Sequence, residues 1–465
     1  MSMRILMGYN EYLKKKEGKE VPVYWDPNNI INAHLMVAGK SGTGKTTRLM
    51  DWIKQVTNSA DDTFERFHIF DVHGDIEIPG ESRMEFSGLT RYGYNPLVLD
   101  PDVRSGGVNR QITFLITTIN KTSRKLMDRQ EATLRNLLVD LYAFFGIHEE
   151  RPETWQREEM TEAMRDEIWR DRRFGDLKRY YPTLRDAIGF AERRLKAMYG
   201  GLNGHESGFK AVGALEQMNS AAQKMQKSLT KKEKAFDTED KERAQKDFES
   251  AAAKFKEKVD EYIAAIETGL EFDNLIKYES KETLKSVIDR LKNFEAKGIF
   301  NANPPQFDPD AKVWAYDLTA LSDEERTLFC MVRAEVIARR RRLAGKLPRG
   351  EVREIIVADE APTLFDENPD SIYNRIAKQL RKFGLALWAL AQTPSDFPEG
   401  VLTTVGTKVL LGIDSFYWKS SCSKLNIEDS VLKYITPWKS MAVYMDQTGK
   451  TNARFYNVEL AGAIK

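Results

Sequence analysis

The run Gly39-Lys40-Ser41-Gly42-Thr43-Gly44-Lys45-Thr46 has the spacing G-x-x-x-x-G-K-[ST], which suits the wrapping of a phosphate chain. Glycines let successive backbone N–H groups curl round β- and α-phosphates, and a helix starting at the loop adds partial positive charge. Lys45 would reach the β- and γ-phosphates, and the Thr46 hydroxyl would ligate Mg²⁺. The nucleotide-binding set is then Gly39, Ser41, Gly42, Thr43, Gly44, Lys45, Thr46 and Thr47. An ordinary Gly/Ser turn is the bland alternative. Hydrolysis needs acids as well, and Ile355, Ile356, Val357 and Ala358 run into Asp359-Glu360. Asp359, at the end of such a strand, can hold Mg²⁺ through water, and Glu360 is placed to orient or deprotonate the attacking water. Gln392 ends a later apolar run and could hydrogen-bond the same water, or simply cap its strand. Asp71-Val72-His73-Gly74-Asp75 follows another apolar run, where it could face Mg²⁺, water or a neighbouring subunit, or cap a loop. Charge on the γ-phosphate calls for an arginine finger, with Arg381 the first choice and Arg375 the second.

Positioning these groups requires strands that end at one edge. Ala33, Leu35, Met36, Val37 and Ala38 read as a buried strand before the loop, and Thr47, Leu49, Met50, Trp52 and Ile53 as the helix after it. Val21, Val23 and Trp25, then Phe67 to Phe70, Val313 to Tyr316, Ile355 to Ala358, Leu385 to Ala391 and Val409 to Leu411 read as further strands. Leu328 to Leu343 and Ile376 to Phe383 read as helices between them. Met441 to Met445 and Ala453 to Tyr456 flank Gln447-Thr448-Gly449-Lys450 as a hairpin. Strand–helix alternation predicts an α/β fold with a mostly parallel sheet covered on both sides.

A charge-rich block interrupts that pattern, and the expected boundaries are 1–148 and 301–465 for the two parts of the core and 149–300 for an all-α insertion. Residues 109–145 read as helical with an apolar face, and 149–297 show no convincing strand. Gly200, Gly201, Gly204 and Gly208 break the block. Leu215, Met218, Ala222, Met225 and Leu229, then Phe248, Phe255, Val259, Tyr262, Ile266 and Leu270, follow helical spacing, as in an antiparallel hairpin. Between Thr230 and Tyr262 nine Lys/Arg oppose ten Asp/Glu, so a projecting or partner-docking arm is expected rather than a basic grip on DNA.

At 465 residues with net charge +1, the chain has room for two or three domains, and any nucleic-acid contact must come from a local basic face. The densest such tract is Arg339-Arg340-Arg341-Arg342 with Lys346, Arg349 and Arg353, which would give either a phosphate-contacting face or a solvated helix end. Two cysteines, Cys330 and Cys422, argue against a disulfide framework and suit a reducing cytoplasm. No apolar run approaches the ~18 residues of a membrane span.

Taken together, Arg381-Lys382-Phe383-Gly384, the run Leu385 to Ala391 and Gln392-Thr393-Pro394-Ser395-Asp396 resemble the HerA–FtsK superfamily of ring ATPases. The type IV secretion ATPases and the HerA translocases are the nearest branches. His34-Leu35-Met36-Val37-Ala38-Gly39, Asp71-Val72-His73-Gly74-Asp75 and Asp359-Glu360-Ala361 are similar to that group too. The likeness covers the core at both ends and leaves the helical block uncovered. It implies a RecA-like core and a hexameric homo-oligomeric ring, with ATP and Mg²⁺ bound between subunits and duplex DNA pumped through a central pore. Arg381 would act in trans, and a nuclease or effector could be a partner. HerA's N-terminal barrel has no counterpart here, and secretion ATPases usually carry a longer N-terminal domain. Three expectations follow: a DNA translocase, a secretion or conjugation ATPase docked on a membrane machine, or an ATP-gated scaffold of an antiviral defence complex.

Overall fold

An antiparallel pair, β1 (Ile5–Asn10) and β2 (Pro22–Trp25), comes first, with the short helix α1 (Glu11–Glu17) between its strands. The computed structural model describes residues 3–59, 61–121, 125–200, 206–233, 238–265, 277–278, 280–365, 371–449 and 453–461. The four-residue strand β3 (Leu35–Ala38) is fully buried and leads through the phosphate-loop sequence into α2 (Lys45–Thr57). Strands β4 (Arg66–Asp71), β5 (Ser82–Glu85), β6 (Val313–Asp317), β7 (Glu354–Ala358), β8 (Leu385–Ala391) and β9 (Thr407–Leu410) follow. β10 (Ser440–Met445) and β11 (Tyr456–Glu459) form the hairpin that was expected near the end.

The eleven strands among the described residues join one sheet in the order β2-β1-β11-β10-β9-β3-β8-β7-β4-β6-β5. From β9 to β5 every pairing is parallel, and from β10 to β2 every pairing is antiparallel. Parallel strands end on the same side, so the carboxyl ends of β3, β4, β7 and β8 share one edge. That edge is where open α/β sheets put their ligand crevice.

Helices cover both faces, which explains why β7 and β8 read as unbroken apolar runs. On one face Leu49, Trp52, Ile53 and Val56 of α2 pack on Val37, Ile69, Val357 and Trp388. Trp388 meets Trp25 and Phe67 edge-on, with ring centroids 5.5 and 5.4 Å apart. On the other face Phe329, from the helix Asp323–Ala344, packs among Phe70, Phe86 and Tyr316. That helix starts with a reciprocal cap between Ser322 and Glu325, five residues before its expected beginning.

The chain divides into two compact units. The sheet unit comprises Met1–Pro96, Lys121–Ser123 and Lys297–Lys465; the helical unit comprises Leu97–Asn120 and Arg124–Ala296. Helices α3 (Val108–Ile119) and α4 (Asp128–Phe144) therefore group with the helical unit, whereas the expected boundary of 149 left them in the core. Long-range contacts within that unit account for the difference. Tyr142 donates to the Leu97 carbonyl at 2.7 Å, Asn136 to the Lys277 carbonyl at 2.8 Å, and Gln130 to Ser286 Oγ at 2.7 Å. Next come α5 (Glu162–Arg170) and α6 (Leu184–Gly200), followed by the hairpin of α7 (Glu206–Glu233) and α8 (Thr238–Ala265). The two 28-residue helices of the hairpin pack on each other. The side chains of Leu215 and Tyr262, and Ile266 and Leu270 altogether, lie outside the described residues, as does Lys450.

Much of the arginine tract is engaged by neighbouring acids rather than spread as a solvated helix end. Arg341 is 4% exposed, bonds both carboxylate oxygens of Glu65 at 3.0 Å and donates to the Phe383 carbonyl. Arg340 pairs with Glu354, and Arg342 with Glu335 at 3.0 Å. Arg349 and Arg353 bond Thr448 and Glu351. Arg340 and Arg341 tie the helix Asp323–Ala344 to β7 and to the residue before β4, whereas the Arg342 pair lies within the helix. A guanidinium whose donors are already engaged has little left for a DNA phosphate.

Candidate active site

The phosphate loop hangs between two neighbouring strands. Gly39 N donates to the Ala391 carbonyl at the end of β8 (3.2 Å), and Lys40 N donates to the Gly412 carbonyl just past β9 (2.8 Å). The turn then needs left-handed backbone at Gly42 (φ 78°) and Gly44 (φ 90°), which glycine adopts without steric cost. Gly44 is also the N-cap of α2, so the helix's free N–H groups face the loop's interior. Thr43 Oγ1 closes the turn onto the Lys40 carbonyl at 2.8 Å. Lys45 folds back, with Nζ 2.6 Å from the Gly39 oxygen and 3.3 Å from the Lys40 oxygen. Burial lowers its pKa, and the charges of Glu360, Asp359 and Asp75 work against that fall.

Acids face this lysine from two strand ends. Asp71, Asp75 and Asp359 each offer a carboxylate oxygen, all within 4.8 Å of one another, the one such group among the described residues. Asp71 is itself anchored, accepting from Gly74 N at 2.7 Å and from Arg83 Nη1 at 2.9 Å. Thr46 Oγ1 lies 3.4 Å from Asp75 Oδ2. Asp359 is 6% exposed, and its Oδ2 is buried with no hydrogen-bond partner. Burial pushes its pKa up to about 7, with the charges of Asp75, Asp71 and Glu360 adding to the rise and His73 opposing it. An all-oxygen donor set with an orphaned carboxylate oxygen fits a hard divalent cation such as Mg²⁺. Glu360 Oε2 sits 3.5 Å from His73 Nε2.

Two deeply buried histidines and Asp359 together set a pH dependence. His34 and His68 are fully buried, and burial drops their pKa values to about 4 and about 3. An unfolded histidine takes its proton near pH 6.5, so the unfolded state binds more protons and each histidine withdraws stability as pH falls from 6.5 toward 4. Asp359 acts oppositely, because its folded pKa of about 7 exceeds its ordinary value of 3.8 and the folded state gains as pH falls below 7. In metal-free buffer the three should leave a net loss on the order of 1 kcal/mol per pH unit between 6.5 and 4. Asp359→Asn removes the offset, so it should raise stability above pH 7 and roughly double the acid slope. Thermal unfolding across that range checks both signs.

Of the residues predicted from sequence, Lys45, Thr46, Asp359 and Glu360 gather with the loop at this edge. Gln392 is exposed directly after Ala391, whose carbonyl holds Gly39. Arg381 does not join them within one chain. It sits in a 3-10 turn ahead of β8, at the opposite end of the strand from Gln392, and donates to the Ile31 carbonyl. Arg375, the second choice, is engaged by Glu335. Asp75 and His73, which sequence alone allows as either site or loop-capping residues, both come to the site. Trp438 carried no local signal. Its indole N–H reaches Gly42 O at 2.9 Å from the far end of the chain.

No family model matches the sequence, and no curated protein matches it. Among solved structures, VirB4 of Thermoanaerobacter pseudethanolicus is similar with a TM-score of 0.61 at 15% identity, covering 99% of this chain and 96% of that one. The plasmid coupling protein TrwB, in complex with the non-hydrolysable ATP analogue ADPNP, gives a TM-score of 0.48 at 12% identity, covering 99% and 94%. The likeness to VirB4 is one of fold, and it is the fold that resemblance to the HerA–FtsK superfamily implies. No helix among the described residues is long and apolar enough to cross a membrane.

Proposed function

We propose that this chain is an ATP-hydrolysing motor that works as a homo-oligomeric, hexameric ring and translocates duplex DNA without reading its sequence. The observation that carries the reading is the meeting of Lys45, Thr46, Asp75, Asp359 and Glu360 at one sheet edge around an open phosphate loop. On nucleotide binding Lys45 exchanges the carbonyls of Gly39 and Lys40 for the β- and γ-phosphates. The loop amides and the start of α2 take up the remaining phosphate charge. Thr46, Asp359 and Asp75 would hold Mg²⁺, which when bound neutralises charge on the triphosphate. Glu360, oriented by His73, takes a proton from the attacking water, and Gln392 aligns that water against the γ-phosphate. Arg381 lies apart from its own loop and serves the loop of a neighbouring subunit as the trans finger. Internal pairs engage Arg340, Arg341 and Arg342, which favours a grip on DNA elsewhere on the ring.

A secretion or conjugation ATPase docked on a membrane machine is the second reading, favoured by the full-length likeness of fold to VirB4. An effector-bound scaffold of a defence complex shares the same site chemistry. The deciding experiment is the mass of the particle with an ATP analogue, with and without duplex DNA, alongside ATPase rates. A hexamer whose hydrolysis rises severalfold with duplex DNA is expected. A ring that ignores DNA would turn the reading toward membrane docking, and a monomer that leaves ATP uncleaved would end it.

A further inference from the structure

The sheet order puts the acids and Trp438 on opposite sides of β3. Asp71 ends β4 and Asp75 follows it, Asp359 and Glu360 follow β7, whereas Trp438 lies two residues before β10, on the β9 side. From there its indole does two things to the loop. Nε1–H donates to Gly42 O at 2.9 Å, and the six-membered ring covers Gly44, where an added Cβ would come within 3.2 Å of Cε3 and Cζ3. Both contacts fall on the two loop glycines with left-handed backbone, the most conformationally free points of the cradle.

The turn that presents the indole is itself held under strain. Trp438 has φ +66°, an outlier for so bulky a residue, and 44% of it is exposed. Hydrogen bonds on either side fix it there: Lys439 N and Ser440 N to the Thr436 carbonyl at 3.0 and 2.9 Å, and Thr436 N to Ser440 Oγ at 2.9 Å. A strained, over-determined backbone that exposes a large apolar ring gains nothing for the core, and such outliers concentrate at ligand clamps.

We propose that Trp438 is a positioning residue that braces Gly42 and Gly44, keeping the phosphate loop in the conformation that receives a triphosphate. This rests on the loop being a triphosphate site, as proposed above. An unbraced loop is competent for only part of the time, and apparent affinity falls by that fraction. The loss must be the same for any ligand that uses the cradle, whether or not it carries a base.

The test compares ATP with inorganic tripolyphosphate, which has neither base nor ribose, on the full chain. Trp438→Ala should weaken both by about tenfold, the worth of a hydrogen bond plus a ring contact. KM for ATP should rise in step, with kcat at saturation within twofold. Trp438→Phe keeps an aromatic side chain but not the donor, and should recover part of the loss for both ligands. It also serves as the readout should the alanine variant unfold. Unchanged affinities in Trp438→Phe and Trp438→Ala would overturn the brace, and so would a loss confined to ATP, which would mean that the ring touches the base instead. A wild-type chain that binds neither ligand would overturn the triphosphate site itself, a distinct failure.

Discussion

Replacing Lys45 with alanine is expected to weaken ATP binding at least a hundredfold. The ammonium is placed among Asp75, Asp359 and Glu360, and it is already partly desolvated against the Gly39 and Lys40 carbonyls. Moving to a triphosphate costs it little extra desolvation, and each charge-assisted bond it then makes is worth about 1.5–3 kcal/mol. Two such bonds give ~10²–10⁴ in affinity, at a factor of ten per 1.4 kcal/mol. Without the lysine, the phosphates would meet Asp75, Asp359 and Glu360 with one positive charge fewer to offset them. Calorimetric titration at matched thermal stability measures the effect, and an affinity within threefold of wild type would remove Lys45 from the site.

Glu360→Gln should have the second-largest effect, separating binding from chemistry. The amide keeps the shape and still touches His73, but it cannot take a proton from water. Losing a positioned base costs typically 10²–10⁴ in rate, so γ-phosphate release should fall by that factor while ATP stays bound and the ring stays assembled. Normal turnover would refute the base assignment. The same variant tests the trans arginine. Rings of Arg381→Ala subunits should be silent, and mixing them with Glu360→Gln subunits should restore interfaces that pair an intact base with an intact finger. Silence in the mixture would exclude Arg381.

Much of this site could be read in the sequence because its signals are local. A buried run, a glycine loop and an amphipathic helix follow one another between Leu35 and Thr57, and Asp359-Glu360 needs only the strand before it. The mostly parallel, doubly covered sheet followed from the same strand–helix alternation. β1 and β5 went unread because each is an edge-region strand whose identity depends on distant partners. β5 is half-exposed and pairs with β6 across the helical unit. The closing strand was placed at Ala453 to Tyr456, whereas its register against β10 begins at Tyr456 and runs to Glu459. The arginine tract misled for a related reason. Four consecutive cations look like a surface, and nothing local announces that Glu65 and Glu354 will reach them. Trp438 belongs to the same class, since its partner glycines lie at the other end of the chain.

The antiparallel wing of the sheet also governs how the protein can be made. β1 has two neighbours, β2 and β11, and it meets β11 through Tyr9↔Glu459 and Asn10↔Val458. A ribosome therefore releases the first hairpin long before the strand that completes it. Until then Ile5, Met7 and Trp25, buried in the finished fold, lie beside an open hydrogen-bonding edge. Nascent chains halted before β11 should accordingly depend on chaperones and be prone to self-association.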